Sequence, residues 1–197
     1  MENLLFEIRR KLVHLCTVIY ILIYYLLDKF YSQRGALFIL LFILIIFSFI
    51  EFLKIRYNKK IPLFHRLYRE DESNSFSGNI FLIMGVIISF AIFQFNIAAT
   101  AILMMVFGDS ASAIIGRMGK NKIDHINRSW EGILSEFVID VLVGFIFLTS
   151  IPIIMIMALS ATITETLLSS IDDNLAIPIV SGFAGQSFSL IIRILNL

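Results

Sequence analysis

The run Val106-Phe-Gly-Asp-Ser-Ala-Ser-Ala-Ile-Ile-Gly-Arg-Met-Gly-Lys-Asn-Lys122 sets a carboxylate, Asp109, inside an apolar segment. Small residues, Gly116, Gly119 and the basic group Arg117, Lys120 and Lys122 follow it. A carboxylate at the centre of a bilayer costs about 2.5–3.5 kcal/mol and is seldom there without a task. Glycines next to positive charge are what a phosphate site needs, because the backbone can then approach the anion closely. Close helix packing by small residues explains Ala111, Ala113 and Gly116 but leaves Asp109 unexplained, so Asp109 is a candidate metal ligand or base.

Other groups carry related chemistry. Arg10, Lys11 and His14 form R-K-x-x-H, which on a helix puts Arg10 and His14 on one face. They read either as the cationic edge of a phosphate site or as a snorkelling interfacial anchor; Arg9 reads as an anchor. Ser129 can cap a helix whose free amides would face an anion, and Trp130 reads as an interfacial aromatic. Glu136 and Asp140 follow four apart, lining a polar interior or pairing between helices. Asp172-Asp173-Asn174 is oxygen-rich, which suits Mg²⁺ beside a phosphate site, although a solvated turn has the same composition. Glu165 lies shortly before it. His65 and His125 read as surface residues. No zinc spacing, Walker lysine loop, nucleophile elbow or dinucleotide fingerprint occurs.

These residues need a scaffold, and composition names it. Of 197 residues, 58% are hydrophobic and 16% charged, with apolar runs recurring along almost the whole chain, so the expectation is an all-α polytopic membrane protein in one domain, 1–197. About seven transmembrane helices are expected, near 12–28, 36–54, 79–95, 97–116, 132–150, 151–168 and 178–195, with a tight break at Ser150-Ile-Pro152. The basic start followed by an apolar run reads as a retained first span rather than a cleaved leader. Cys16, the single cysteine, excludes an intrachain disulfide. Seven crossings put every Lys and Arg except Lys29, Arg34 and Arg193 on one side, so the N-terminus is expected in the cytoplasm. His14, Asp109, Glu136, Glu165 and the 170–175 loop would then converge on that cytoplasmic face. The sequon at Asn127 would face the same side, unmodified. The stretch 61–72 reads as an interfacial amphipathic segment that holds anionic headgroups or covers the site.

Taken in order, R-K-x-x-H at 10–14, G-D-S-A-S-A-x-x-G-R-x-G-K at 108–120, S-W-E-G at 129–132 and E-(x6)-D-D-N-L-x-x-P from Glu165 to Pro178 resemble the CTP-dependent lipid-alcohol kinases. That family comprises dolichol (polyprenol) kinase, phytol kinase and the yeast-type diacylglycerol kinase. The resemblance implies a membrane phosphotransferase that passes the terminal phosphate of CTP to a lipid hydroxyl, with Mg²⁺. It assigns Gly108, Gly116, Gly119, Arg128, Ser129, Glu131, Gly132 and Asn174 to the nucleotide and phosphate region. Asp109, Asp172 and Asp173 would hold the metal. Arg10, Lys11, Arg117, Lys120 and Lys122 would offset the triphosphate charge, and Glu136, Asp109 or His14 would take the alcohol proton. Two positions depart from the family pattern: Arg128 stands where lysine is frequent, and Val18 where a glycine often follows the histidine.

Two other functions compete. A CTP-dependent phosphatidate-type cytidylyltransferase would use the same ions and charges. An ion-coupled transporter would also place acids in the membrane, but along a whole crossing path rather than at one face. The partners expected are CTP and a membrane lipid alcohol, with no nucleic acid. The oligomeric state and the alcohol are left open. The Lys-, Asn- and Ile-rich usage suggests a microbial plasma membrane.

Overall fold

The computed structural model describes residues 14–57, 77–123, 128–168 and 171–195. Arg10, Lys11, His65, His125, Asn127 and the 61–72 stretch lie outside the described residues. The described chain is helical apart from one short β pair. Its helices are α1 (Thr17–Phe30), α2 (Gln33–Tyr57), α3 (Gly78–Ile92), α4 (Phe95–Met118), α5 (Trp130–Phe147), α6 (Ile151–Leu167) and α7 (Asp173–Leu195). Strands β1 (Lys122–Ile123) and β2 (Arg128–Ser129) pair antiparallel between α4 and α5.

Each expected apolar run holds one helix, and the break near Ser150 is real: α5 ends at Phe147 and α6 opens with Pro152 in its first turn. Proline is tolerated there because its missing N–H has no intrahelical partner to lose. The last helix corrects the expectation. It begins at Asp173, ahead of the span expected at 178, and Pro178 lies inside it. Asp172 closes the turn, its carbonyl accepting from the amides of Leu175 and Ala176 at 3.0 Å each. Asp173 and Asn174 are therefore first-turn helix residues rather than members of an open loop. Among the described residues three helices are long and apolar enough to cross a membrane, Gln33–Arg56, Phe95–Met118 and Asp173–Leu195, and α3 and α6 are shorter apolar helices. The chain is an all-helical integral membrane protein.

Contacts cluster into two units, Met1–Ile87 and Ile88–Leu197, with the boundary inside α3. In the first unit α1 packs on α2 through a face that includes Thr17, Ile21 and Tyr24. Helix α2 buries Ala36, Leu40, Glu51 and Lys54 on one side. On the opposite side it exposes Phe38, Phe42, Ile45, Phe49 and Phe52. A stripe of bare phenylalanines would be costly in water and is at home against acyl chains. Glu51 takes both the amide (2.8 Å) and the hydroxyl of Ser77, which ties the end of α2 to the start of α3.

In the second unit α4 is the central element. Every residue from Ile97 to Val106 is buried, and α5, α6 and α7 pack around it. Helix α5 is arranged inside out for a water-soluble protein: Leu134, Val138, Leu142 and Phe145 are exposed, whereas Glu136 and Asp140 are buried. Burying polar groups while baring leucines is stable only where the surroundings are hydrocarbon.

Candidate functional site

The α4–α5 crossing builds the site. Gly108, Ser112 and Gly116 recur every four residues and form a stripe of small side chains on α4. A Cβ on Gly132 would lie 2.9 Å from the Cα of Gly116, and a Cβ on Gly108 would strike the carboxyl of Asp140. The two helices run antiparallel in that register, with Ser112 and Glu136 at the midpoints between those contacts. The packing stripe is thus Gly108–Ser112–Gly116; of the residues that close helix packing would explain, Gly116 lies in it. Asp109 is half-buried next to Gly108 in this stripe.

A basic loop closes one end of the crossing. Helix α4 stops at Gly119, whose extended backbone any residue could adopt (φ −65°, ψ 140°). Glycine is needed there for room: a Cβ would sit 2.5 Å from the Ser129 hydroxyl and 2.6 Å from a Glu131 carboxylate oxygen. Ser129 caps α5 as expected, accepting from the Gly132 amide at 3.1 Å. Glu131 grips the loop. One of its oxygens accepts from the Lys120 amide (3.1 Å), the Asn121 amide (3.2 Å) and the Asn121 side chain (3.0 Å). These donors, its own backbone N–H foremost, followed by those of Asn121 and Lys120, hold the Glu131 carboxyl below the usual carboxylate range. Glu131 is therefore a clasp for the basic loop. Arg117, Lys120 and Lys122 are exposed, and β1 pairs Lys122 with Ser129 and Ile123 with Arg128. That ribbon delivers Arg128 to the helix bundle.

Arg128 is the hub. Its Nη1 donates to Glu165 at 2.5 Å, lies 3.6 Å from Glu136 and reaches the Ser112 hydroxyl at 3.4 Å. Burial opposes the guanidinium charge. The attraction and hydrogen bond of Glu165, with Glu136 and Asp173 adding, outweigh it, so the Arg128 pKa is raised above the ordinary arginine value. Glu165 and Glu136 are 5% and 1% exposed, and Asp140 is 0% exposed. One cation thus faces several buried acids from α5 and α6. Asp173, in the first turn of α7, is within electrostatic range of Glu165, Arg128, Asp109 and Asp172. An oxygen of Asp172 accepts from the Asn174 amide at 3.0 Å, so this acid also caps α7. Among the described residues no group of three His, Cys, Asp or Glu side chains could enclose a metal ion alone.

The structure therefore brings Asp109, Arg128, Glu136, Glu165, Asp172, Asp173 and Asn174, with the 117–122 loop, to one end of the second unit. His14 belongs to the first unit, where it is buried and its carbonyl accepts from the Thr17 hydroxyl at 2.5 Å. Sequence reasoning undervalued two acids. Glu165 meets Arg128 across 37 positions of sequence, and Asp140 lies deepest in the crossing. A signal for Asp140 was present in equal spacings: Gly108 to Gly116 on α4 matches Gly132 to Asp140 on α5.

No protein-family model matches the chain, and no solved structure matches it. Among characterised proteins it is similar to the CTP-dependent diacylglycerol kinase 1 of Saccharomyces cerevisiae, at 25% identity over 155 residues. That alignment covers 72% of this chain and 50% of the yeast protein, so the chain spans about half the length of that relative. It is also similar to the uncharacterized protein RP860 of Rickettsia prowazekii, at 28% identity over 194 residues, covering 90% of this chain and 92% of the relative. The site of acids and bases described above thus lies in a helical membrane chain distantly similar to a CTP-dependent diacylglycerol kinase.

Proposed function

We propose that this protein is a membrane-embedded lipid kinase that transfers the terminal phosphate of CTP to the hydroxyl of a lipid alcohol, a long-chain isoprenoid alcohol or diacylglycerol. The observation that carries this reading is the meeting of the 117–122 basic loop, Arg128 and the Asp109 and Asp173 carboxylates at one end of a chain similar to the yeast kinase. The seven described helices cross the bilayer in this reading, with the N-terminus and the site in the cytoplasm, which the distribution of lysine and arginine supports.

The chemistry asks little covalent work of the protein. The lipid oxygen bonds to the terminal phosphorus as the bond to the bridging oxygen of CDP breaks, and the hydroxyl proton passes to a carboxylate, which this reading takes to be Glu136. Arg117, Lys120 and Lys122 offset the triphosphate charge, and the capped N-terminus of α5 presents its amides to phosphate. Mg²⁺ requires only one or two carboxylates when phosphate oxygens complete its shell. Asp173 with Asp109 fits that requirement, and when bound the ion would neutralise charge on the transferring phosphate.

The test is transfer by purified protein from γ-labelled CTP to a panel of lipid alcohols, compared with UTP, ATP and GTP. Label on the lipid supports the kinase, whereas label released as pyrophosphate makes the protein a cytidylyltransferase. Asp109→Asn should abolish transfer in a protein that remains folded in detergent, and retained turnover removes Asp109 from the site.

A further inference from the structure

Asp140 has no task in the chemistry above, yet the fold makes room for it. Its side chain is fully enclosed, and neither carboxylate oxygen has a hydrogen-bond partner among the described residues. One oxygen of Glu165 and one of Glu136 are also buried outside any hydrogen bond, the Glu136 oxygen lying 3.6 Å from the Arg128 guanidinium. Packing alone would not keep this arrangement, because a buried oxygen left without a donor is destabilising and an apolar side chain of similar shape removes the penalty. Gly108 gives up its own side chain at the point where the Asp140 carboxyl lies. Three buried acids on two helices thus hold more acceptor oxygens than the described donors satisfy, and the closest hydrogen bond of Arg128 already goes to Glu165. The missing partner is a hydrogen-bond donor that can reach a site walled by apolar helices.

We propose that Glu136, Asp140 and Glu165 form the docking site for the hydroxyl group of the lipid acceptor, with Asp140 as the deepest acceptor and the specificity determinant. The inference rests on the kinase reading, which supplies the alcohol. A lipid alcohol supplies what the site lacks, one O–H that can donate to a buried acid. A site built to bond a hydroxyl discriminates strongly against an analogue without one, since the acceptors are then left unpaired.

The experiment has two arms. In the kinetic arm, Asp140→Leu, which removes both acceptor oxygens at similar shape, should raise the KM for the alcohol by about ten-fold or more while the KM for CTP stays within about two-fold. Its melting temperature in detergent should be equal or higher, because an unpaired buried acid has been removed. An unchanged alcohol KM, or an equal rise for both substrates, overturns the proposal. In the binding arm, wild-type protein is photolabelled with geranylgeraniol and with a diacylglycerol, each carrying a diazirine near the hydroxyl. Adducts between Gly108 and Ser112 or between Glu136 and Asp140 that free alcohol suppresses, and its methyl ether does not, support the site. Adducts elsewhere only, or equal competition by the ether, overturn it. If wild-type protein transfers no phosphate from CTP, the kinase reading fails, and the binding arm still decides whether a hydroxyl docks here.

Discussion

Gly108 and Asp140 face each other across the α4–α5 crossing so closely that a single methyl group on the glycine would strike the aspartate carboxyl. This contact couples a backbone position on one helix to a buried acid on another. Gly108→Ala should therefore cost about 1–3 kcal/mol of stability by overpacking. Combined with Asp140→Ala, most of that cost should vanish, giving a coupling of about 1 kcal/mol or more in a double-mutant cycle. Thermal unfolding of the four proteins in one detergent measures it, and strict additivity would show that the two residues do not share the space.

The hub at Arg128 makes a second, asymmetric prediction. Removing the guanidinium by Arg128→Met leaves Glu165 and Glu136 without their cation in dry surroundings, a loss of about 3–5 kcal/mol. Arg128→Lys restores a charge but not the planar fork, and the single nitrogen cannot serve Glu165 and Ser112 in the same way. It should fold with intermediate stability and lose most transfer activity. Wild-type stability in the methionine variant would mean that the ion pair contributes nothing to folding.

Much of the frame was legible because it follows from local chemistry. Apolar runs bounded by charge marked the seven described helices, Pro152 marked the break between α5 and α6, and Ser129 marked the cap of α5. The start of α7 was misjudged because a proline inside a helix looks like a boundary, whereas Asp172 supplies a cap strong enough to begin the helix earlier. The acid cluster was harder to see. Glu165 and Arg128 acquire meaning only from each other, and their meeting depends on how α6 folds back along α5, which no local pattern encodes. Glu131 was assigned to phosphate through its motif, yet its carboxylate is engaged with the amides of Lys120 and Asn121.

The Glu131 clasp predicts both a mutational and a pH response. Glu131→Ala should free the 119–121 turn and raise the KM for CTP with little change in melting temperature, since the turn lies outside the packed helices. The carboxyl is held below its usual range, so the folded form binds its proton less readily than the unfolded chain. Its stabilising contribution is complete above the unfolded value of about 4.3 and is lost as pH falls through the lower folded value. Exchange protection at the Lys120 and Asn121 amides should stay constant from about pH 8 to about pH 5 and decline only in more acid solution. A decline centred near neutrality would exclude Glu131 as the clasp.

Asp172 and Asp173 are adjacent, but the fold gives them different work, and substitution separates the two. Asp172 caps α7 through the Asn174 amide, so Asp172→Ala should lose about 1 kcal/mol, whereas Asp172→Asn keeps a capping oxygen and should keep the stability. Asp173 lies within electrostatic range of Glu165, Arg128 and Asp109, so Asp173→Asn should fold normally and lose the response of transfer to Mg²⁺. Titrating Mg²⁺ at fixed CTP for each variant reads the difference. If Asp172→Asn shifts the Mg²⁺ midpoint as far as Asp173→Asn does, both carboxylates contact the ion and the division of labour fails. If neither shifts it, the metal is held elsewhere.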